Sequence, residues 1–497
     1  MFPLGLLAQQ RNLASAPRHA LVIGNSAYQG NSLKNPVNDA TDIGGALKGA
    51  GFQVRQVLDA GRAQMSDAIK AYGEALARDG AVGVFYFAGH GAQLNWRNFL
   101  IPVDGQFKDQ KDIPERAVDL IELVESLKRA KNPANIVILD ACRNNPFGRD
   151  YLTEQHGLSQ MDAPTGTILA YATAPGNFAI DGEGRNGLYT RNLLREMAVP
   201  EAKVEDVFKR VRLAVRRASK GLQVPWESTS LEDDVYFRPP AELRRLADDE
   251  RAKLRDADFE LWEKVKGAKE PSALEEYLRR YPSGNFADLA QVYLDRALKA
   301  QGEKPVETTS PAGNPYTAGT TRTDTAYRVG DFYTFRISDL YTNVVIREVT
   351  ETVTAITDTE VIFDDGREIF DLLGNVTKRS DGRRYKGAQM LPLEFSVGRR
   401  WTTEFALVFP NGVESWNIID FRIVGKERIA VPAGTFECFR VEGEGRAIGR
   451  EFRIKVTYWG APKVSRRSVA YEIHRQAGAS KVIQAERWDL VAVKQQA

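Results

Sequence analysis

Cysteine is almost missing from this chain: Cys142 and Cys438 are the two thiols in 497 residues. Two isolated thiols make neither a disulfide framework nor a metal cluster. Histidine is also scarce, limited to His19, His90, His156 and His474, which leaves few imidazoles to act as a base. Net charge is close to balanced, +2 from 68 basic and 66 acidic residues, so no basic footprint argues for nucleic acid. No apolar run reaches the roughly 18 residues a helical membrane span needs. No phosphate loop or Gly-x-Gly-x-x-Gly follows the first expected strand at Gly24, which sets a nucleotide site aside. The expectation is no metal and no cofactor.

What remains is ordinary globular material, 43% apolar, and a length that suggests about three domains. Between residues 18 and 238 short apolar runs alternate with helical stretches. Strands are expected at His19–Asn25, Phe52–Leu58, Val82–Ala88, Ile136–Leu139 and Thr167–Thr173, with extended pieces at Asn98–Val103 and Val224–Leu231. Helices are expected at Pro36–Gly49 (Asn35 as N-cap), Ala63–Ala77, Leu120–Ala130, Gly187–Met197 and Val204–Ser219. This alternation predicts an α/β domain with a mainly parallel sheet flanked by helices.

Two of these strands end in chemistry. Ile136–Leu139 is β-branched and leucine-rich, too short for a helix, and runs into Asp140-Ala141-Cys142-Arg143-Asn144. Val82–Ala88 runs into Gly89-His90-Gly91, whose glycines leave the backbone around the imidazole open to close approach. Function in open α/β sheets gathers where the strands end. The separation, 142 − 90 = 52 residues, leaves room for the connection that two parallel strands require.

The pair of motifs at this spacing resembles the caspase-like cysteine peptidases of family C14, in particular the bacterial metacaspase-like, or orthocaspase, branch. The resemblance covers about residues 18–238. It implies a cysteine endopeptidase working through a Cys142–His90 dyad and a thioester, with backbone N–H groups of Gly91 and Cys142 as oxyanion donors. A peptide or protein is the implied substrate. Where caspases carry a glutamine two residues before the nucleophile, this chain has Asp140. The stretch Asn38-Asp39-Ala40 resembles the acidic element of metacaspases. Asp39 and Asp140 together therefore imply a first specificity pocket for Arg or Lys. The bland alternatives are an acid in the first turn of a helix for Asp39 and a turn acid for Asp140. Some features depart from metacaspases: Pro36 and Ala88 replace a cysteine and a serine usual in that pocket. Asp104 and Asp119 match the calcium-binding acids only in part, because Val118 stands beside Asp119. The long polar connection from Arg143 to Gly166, with Arg143 and Arg149, reads equally as a site of self-cleavage and as a simple long loop. A non-nucleophilic buried cysteine is the competing account of Cys142, and a weakly active scaffold that binds partners is the competing account of the domain.

The flanks are different material. Residues 1–17 read either as the remnant of a signal peptide, which favours a periplasmic or secreted protein, or as a frayed terminus, which leaves a cytoplasmic one. Residues 239–301 have helical periodicity, and Leu274–Pro282 with Phe286-Ala287 resembles a tetratricopeptide-type hairpin, a helical arm that could dock a protein partner or act as a spacer. Residues 302–325 are rich in Pro, Gly, Thr and Ser and read as a linker. Residues 326–497 alternate with turn signals at Asp365-Gly366, Asp381-Gly382 and Asn411-Gly412, predicting an all-β domain, a sandwich or partial barrel. Trp401, Trp416, Trp459 and Trp488 are expected in its core, and Cys438 is expected to be a plain strand residue.

Overall fold

A computed structural model describes residues 13–141, 157–177, 179–180, 184–240, 248–304, 306, 313–449, 452–478 and 481–496. The chain divides into two compact units, one of residues 1–245 and 303–317, the other of residues 246–302 and 318–497.

In the first unit the strands are β1 (Arg18–Gly24), β2 (Gln53–Leu58), β3 (Val82–Ala88), β4 (Gly91–Leu94), β5 (Arg97–Leu100), β6 (Val118–Asp119), β7 (Asn135–Asp140), β8 (Thr167–Tyr171) and β9 (Trp226–Thr229). The helices are α1 (Pro36–Gly49), α2 (Arg62–Asp79), the single turn α3 (Ile113–Arg116), α4 (Leu120–Ala130), α5 (Leu188–Met197) and α6 (Val204–Ala218). Six strands form one sheet in the order β2-β1-β3-β7-β8-β9. All its pairings are parallel except β8–β9.

Its strands are apolar throughout because both faces are covered. Val82, Val84, Tyr86 and Ala88 of β3 pack with Ile43 and Leu47 of α1, Leu193 of α5 and Val207 of α6. The alternate residues Phe85 and Phe87 pack on the other face with Ile69 and Leu76 of α2 and Leu123 and Leu127 of α4. Strands β4, β5 and β6 form a separate small antiparallel sheet, which the sequence indicated only as one extended piece. Helix α1 begins at Pro36 as expected, but the Asn35 side chain makes no capping bond. Asn35 has helical backbone angles, and its carbonyl takes the Asp39 N–H at 2.8 Å. Asp104 and Asp119 have structural uses: Asp104 accepts the Arg62 N–H at 3.0 Å at the start of α2, and Asp119 caps α4 at Ile121 and pairs with Arg97.

The second unit joins helices to a barrel. Helices α7 (Asp248–Val265), α8 (Pro271–Arg280) and α9 (Ala287–Ala300) precede a two-stranded ribbon of β10 (Thr321–Arg322) with β17 (Glu394–Phe395). The barrel strands are β11 (Phe332–Asp339), β12 (Val345–Ile356), β13 (Glu360–Phe363), β14 (Glu368–Asp371), β15 (Val376–Lys378), β16 (Arg384–Lys386), β18 (Arg400–Val408), β19 (Glu414–Val431), β20 (Gly434–Ala447), β21 (Phe452–Gly460), β22 (Ala470–Ala477) and β23 (Lys481–Lys494). These twelve close on one another, β23 pairing with β11. The expectation of a sandwich or partial barrel is therefore corrected to a closed barrel. Turn signals locate hairpins but carry no record of whether first and last strands meet. Tyr333, Phe335 and Ile337 alternate inward on β11, as do Ile454, Val456 and Tyr458 on β21.

The helices are bound to the barrel within this unit. The Arg255 guanidinium lies 3.6 Å from the Trp416 ring centroid, Phe259 meets the same ring edge-on, and Asp288 takes two bonds from Arg399. Trp416 thus faces a helix instead of filling the barrel core. Cys438 is buried in β20, and burial pushes its thiol up to about 12. Among the described residues no helix is long and apolar enough to cross a membrane.

Candidate active site

The site lies where β3 and β7 end. The two strands are in parallel register, with Ala88 opposite Asp140, and the Gly89 N–H reaches the Asp140 carbonyl at 3.4 Å. The chain beyond each strand therefore emerges at the same sheet edge. A side chain at Gly89 would strike the Tyr28 hydroxyl, 2.5 Å from its Cβ position, so a residue without Cβ is required there.

His90 follows and is buried. Its Nε2 lies 3.0 Å from the Asn31 carbonyl oxygen. A carbonyl only accepts, so Nε2 carries the proton of the neutral ring and Nδ1 carries the lone pair. The Tyr28 ring packs against the imidazole, centroids 4.5 Å apart. The Tyr28 hydroxyl accepts the His90 N–H at 3.0 Å and donates to the Ile101 carbonyl at 3.0 Å, while the His90 carbonyl accepts from Ile101 N–H. The hydroxyl thus replaces one rung of the β4–β5 ladder. Gly91 pairs with Leu100 at the next position, and by strand alternation its N–H turns away from β5. The Cβ position of Gly91 lies 2.7 Å from the Ala141 carbonyl oxygen, so the segments leaving β3 and β7 are in contact. Cys142, which follows Ala141, lies outside the described residues, as do Arg143, Arg149 and His156.

The two expected pocket acids converge on one helix end. Asp39, in the first turn of α1, accepts the Gly187 N–H at 3.0 Å. Asp140 accepts the Thr190 hydroxyl at 2.8 Å, and Thr190 also bonds the Tyr86 hydroxyl at 2.6 Å. Gly187 is the N-cap of α5 and Thr190 lies in its first turn, the end of a helix that favours negative charge. Both acids are buried, 0% and 1% exposed. Burial and the nearby Asp140 hold the Tyr189 phenol well above its ordinary range. At the surface beside them Arg185 and Asn186 bind Asp42, and the Arg185 hydrogen bond lowers the Asp42 carboxyl below its usual range.

Sequence reasoning missed Tyr28, Asn31 and Asn25. Asn31 acts through its backbone, which leaves no trace in residue type. Asn25 is fully buried, accepts the Ala60 N–H at 2.9 Å and donates to the Ile101 carbonyl at 3.2 Å; a polar residue directly after a buried strand was the available signal. Among the described residues no group of His, Cys, Asp and Glu could hold a metal ion.

Comparison with known proteins bears on the same region. Residues 17–236 match the family model described as the caspase domain. The human mucosa-associated lymphoid tissue lymphoma translocation protein 1 and its mouse homolog are each similar at 26% identity over 189 residues, 37% of this chain and 22% of theirs. The chain thus spans about a fifth of the length of these curated relatives.

Proposed function

We propose that this chain is a cysteine endopeptidase whose nucleophile is Cys142 and whose base is His90, because residues 17–236 match the family model described as the caspase domain. The observation that carries the reading is the 3.0 Å contact of His90 Nε2 with the Asn31 carbonyl oxygen: a carbonyl only accepts, which supports a proton on Nε2 and leaves Nδ1 as the proton acceptor of the proposed dyad. In the proposed cycle Nδ1 takes the thiol proton and the thiolate attacks the substrate carbonyl carbon. The negative oxygen is met by the N–H groups of Gly91 and Cys142. The imidazolium then gives its proton to the departing amine, leaving a thioester that water hydrolyses.

Asp39 and Asp140 support a preference for Arg or Lys at the residue before the cut. The two acids sit at the positive end of α5, which favours negative charge, and an arginine would meet carboxylates through bidentate bonds. Their burial means that substrate reaches them only when neighbouring segments move. The same two acids favour the metacaspase-like branch of the family. Their burial also favours the second reading, a weakly active scaffold that binds protein partners through its helices and barrel.

Fluorogenic peptides ending in Arg, Lys or Asp separate the two readings. The expected result is turnover of the Arg and Lys peptides, reduced on the order of a thousandfold or more in Cys142→Ala and in His90→Ala. Turnover equal in wild type and Cys142→Ala would overturn the peptidase reading.

A further inference from the structure

One end of the barrel carries an apolar rim that the peptidase chemistry does not use. The ends of β11, β12, β22 and β23 meet there, since β11 pairs with β12 and β23 and β22 pairs with β23. Tyr341, Val344, Val345, Ile346, Val482 and Ile483 are between 43 and 64% exposed. Single exposed aliphatics are ordinary on any surface, but a contiguous group marks a contact.

The backbone is shaped to expose them. The β11–β12 register shifts so that Ile337 faces Arg347 and Ser338 faces Val345, which makes Ile346 the extra residue of a bulge. On β22–β23 Arg475 faces Gln484 and Gln476 faces Val482, which makes Ile483 the extra residue of a second bulge. Bulges re-aim side chains, and here each puts an isoleucine at the rim. Tyr341 is fixed across the strands by its hydroxyl, 2.5 Å from His474 Nε2.

The charges at this end are asymmetric. Glu348 is paired with Arg336 at 2.9 Å, and Asp339 is turned into its own loop, accepting from the N–H groups of Tyr341 and Thr342. Arg347, Arg453 and Lys481 are exposed and have no ion-pair partner among the described residues. Aliphatic side chains, one tyrosine and cations without an ion-pair partner among the described residues, gathered at adjoining strand ends, match an interfacial anchor on anionic lipid, where apolar burial and attraction to the headgroups add.

We propose that this rim docks the protein onto an anionic membrane surface, with Ile346 and Ile483 entering the headgroup region. The test uses the full chain and sedimentation with two kinds of vesicle, pure phosphatidylcholine and a 7:3 mixture of phosphatidylcholine with phosphatidylglycerol (about three anionic lipids in ten). Wild type is expected to pellet with the anionic vesicles and to be released by salt. The double variant Ile346→Ser with Ile483→Ser is expected to bind about tenfold more weakly or worse, with its melting temperature unchanged because both positions are exposed. Arg347→Glu with Lys481→Glu is expected to remove the preference for anionic vesicles. No pelleting of wild type, or equal pelleting of all three proteins, would overturn the proposal. So would a wild-type dimer that the isoleucine variants convert to monomer, since the rim would then be covered by a second copy.

Discussion

Tyr28 shows how one hydroxyl can fix the backbone of a buried histidine. It joins the His90 N–H to the Ile101 carbonyl, and its ring backs the imidazole. Tyr28→Phe keeps the ring and removes both bonds. Each net hydrogen bond is worth about 1 kcal/mol, so the variant is expected to fold and to lose roughly tenfold in kcat with KM little changed; an unchanged kcat would sink the positioning role. Cys438 is buried, with its thiol pushed up to about 12, and the thiolate is the reactive form. Iodoacetamide at neutral pH is therefore expected to label the folded protein at Cys142 alone, read by peptide mass mapping, with no label on Cys142→Ala; a labelled Cys438 would contradict the burial. At this scale the place of His90 at the end of β3 was legible because Gly89-His90-Gly91 follows an apolar strand. Tyr28 was not, since an aromatic in a loop carries no sign of what its hydroxyl will bridge.

Elements were legible where periodicity is strong and illegible where partners decide. The sheet strands of the first unit and helix α4 follow from apolar runs and period alone. The β4–β6 sheet does not, because its pieces are short and acquire meaning only by pairing. Barrel closure is a relation between β11 and β23, about 150 residues apart in the chain and beyond the reach of any local pattern. The barrel also contains a feature with a pH consequence. Asp371, at the end of β14, accepts bonds from Leu373, Asn375 and Gln389, yet burial raises its carboxyl to about 6. The folded state then binds more protons than the unfolded state between about pH 4 and about pH 6, so stability contributed by this group is greatest below that window and falls as pH rises through it. The loss at neutral pH is on the order of 3 kcal/mol. Urea unfolding of wild type and Asp371→Asn should differ by an amount that changes across the window; a difference constant with pH would show that Asp371 does not titrate there.

At the scale of the molecule, the two compact units are built from different stretches of chain. The first unit brings the segments after β3 and β7 to one edge, and the second holds three helices against a barrel through Arg255, Phe259 and Asp288. The expected helical arm therefore has an inner face already occupied, something its own amphipathic pattern could not reveal because any partner satisfies it equally. The bond from Asp39 to Gly187 and the bond from Asp140 to Thr190 join positions 148 and 50 residues apart. A ribosome delivers His90 and Cys142 well before the helix that fastens those acids. During synthesis, then, Asp39 and Asp140 exist for a time without the helix N-terminus that holds them, and their setting is completed only when α5 arrives.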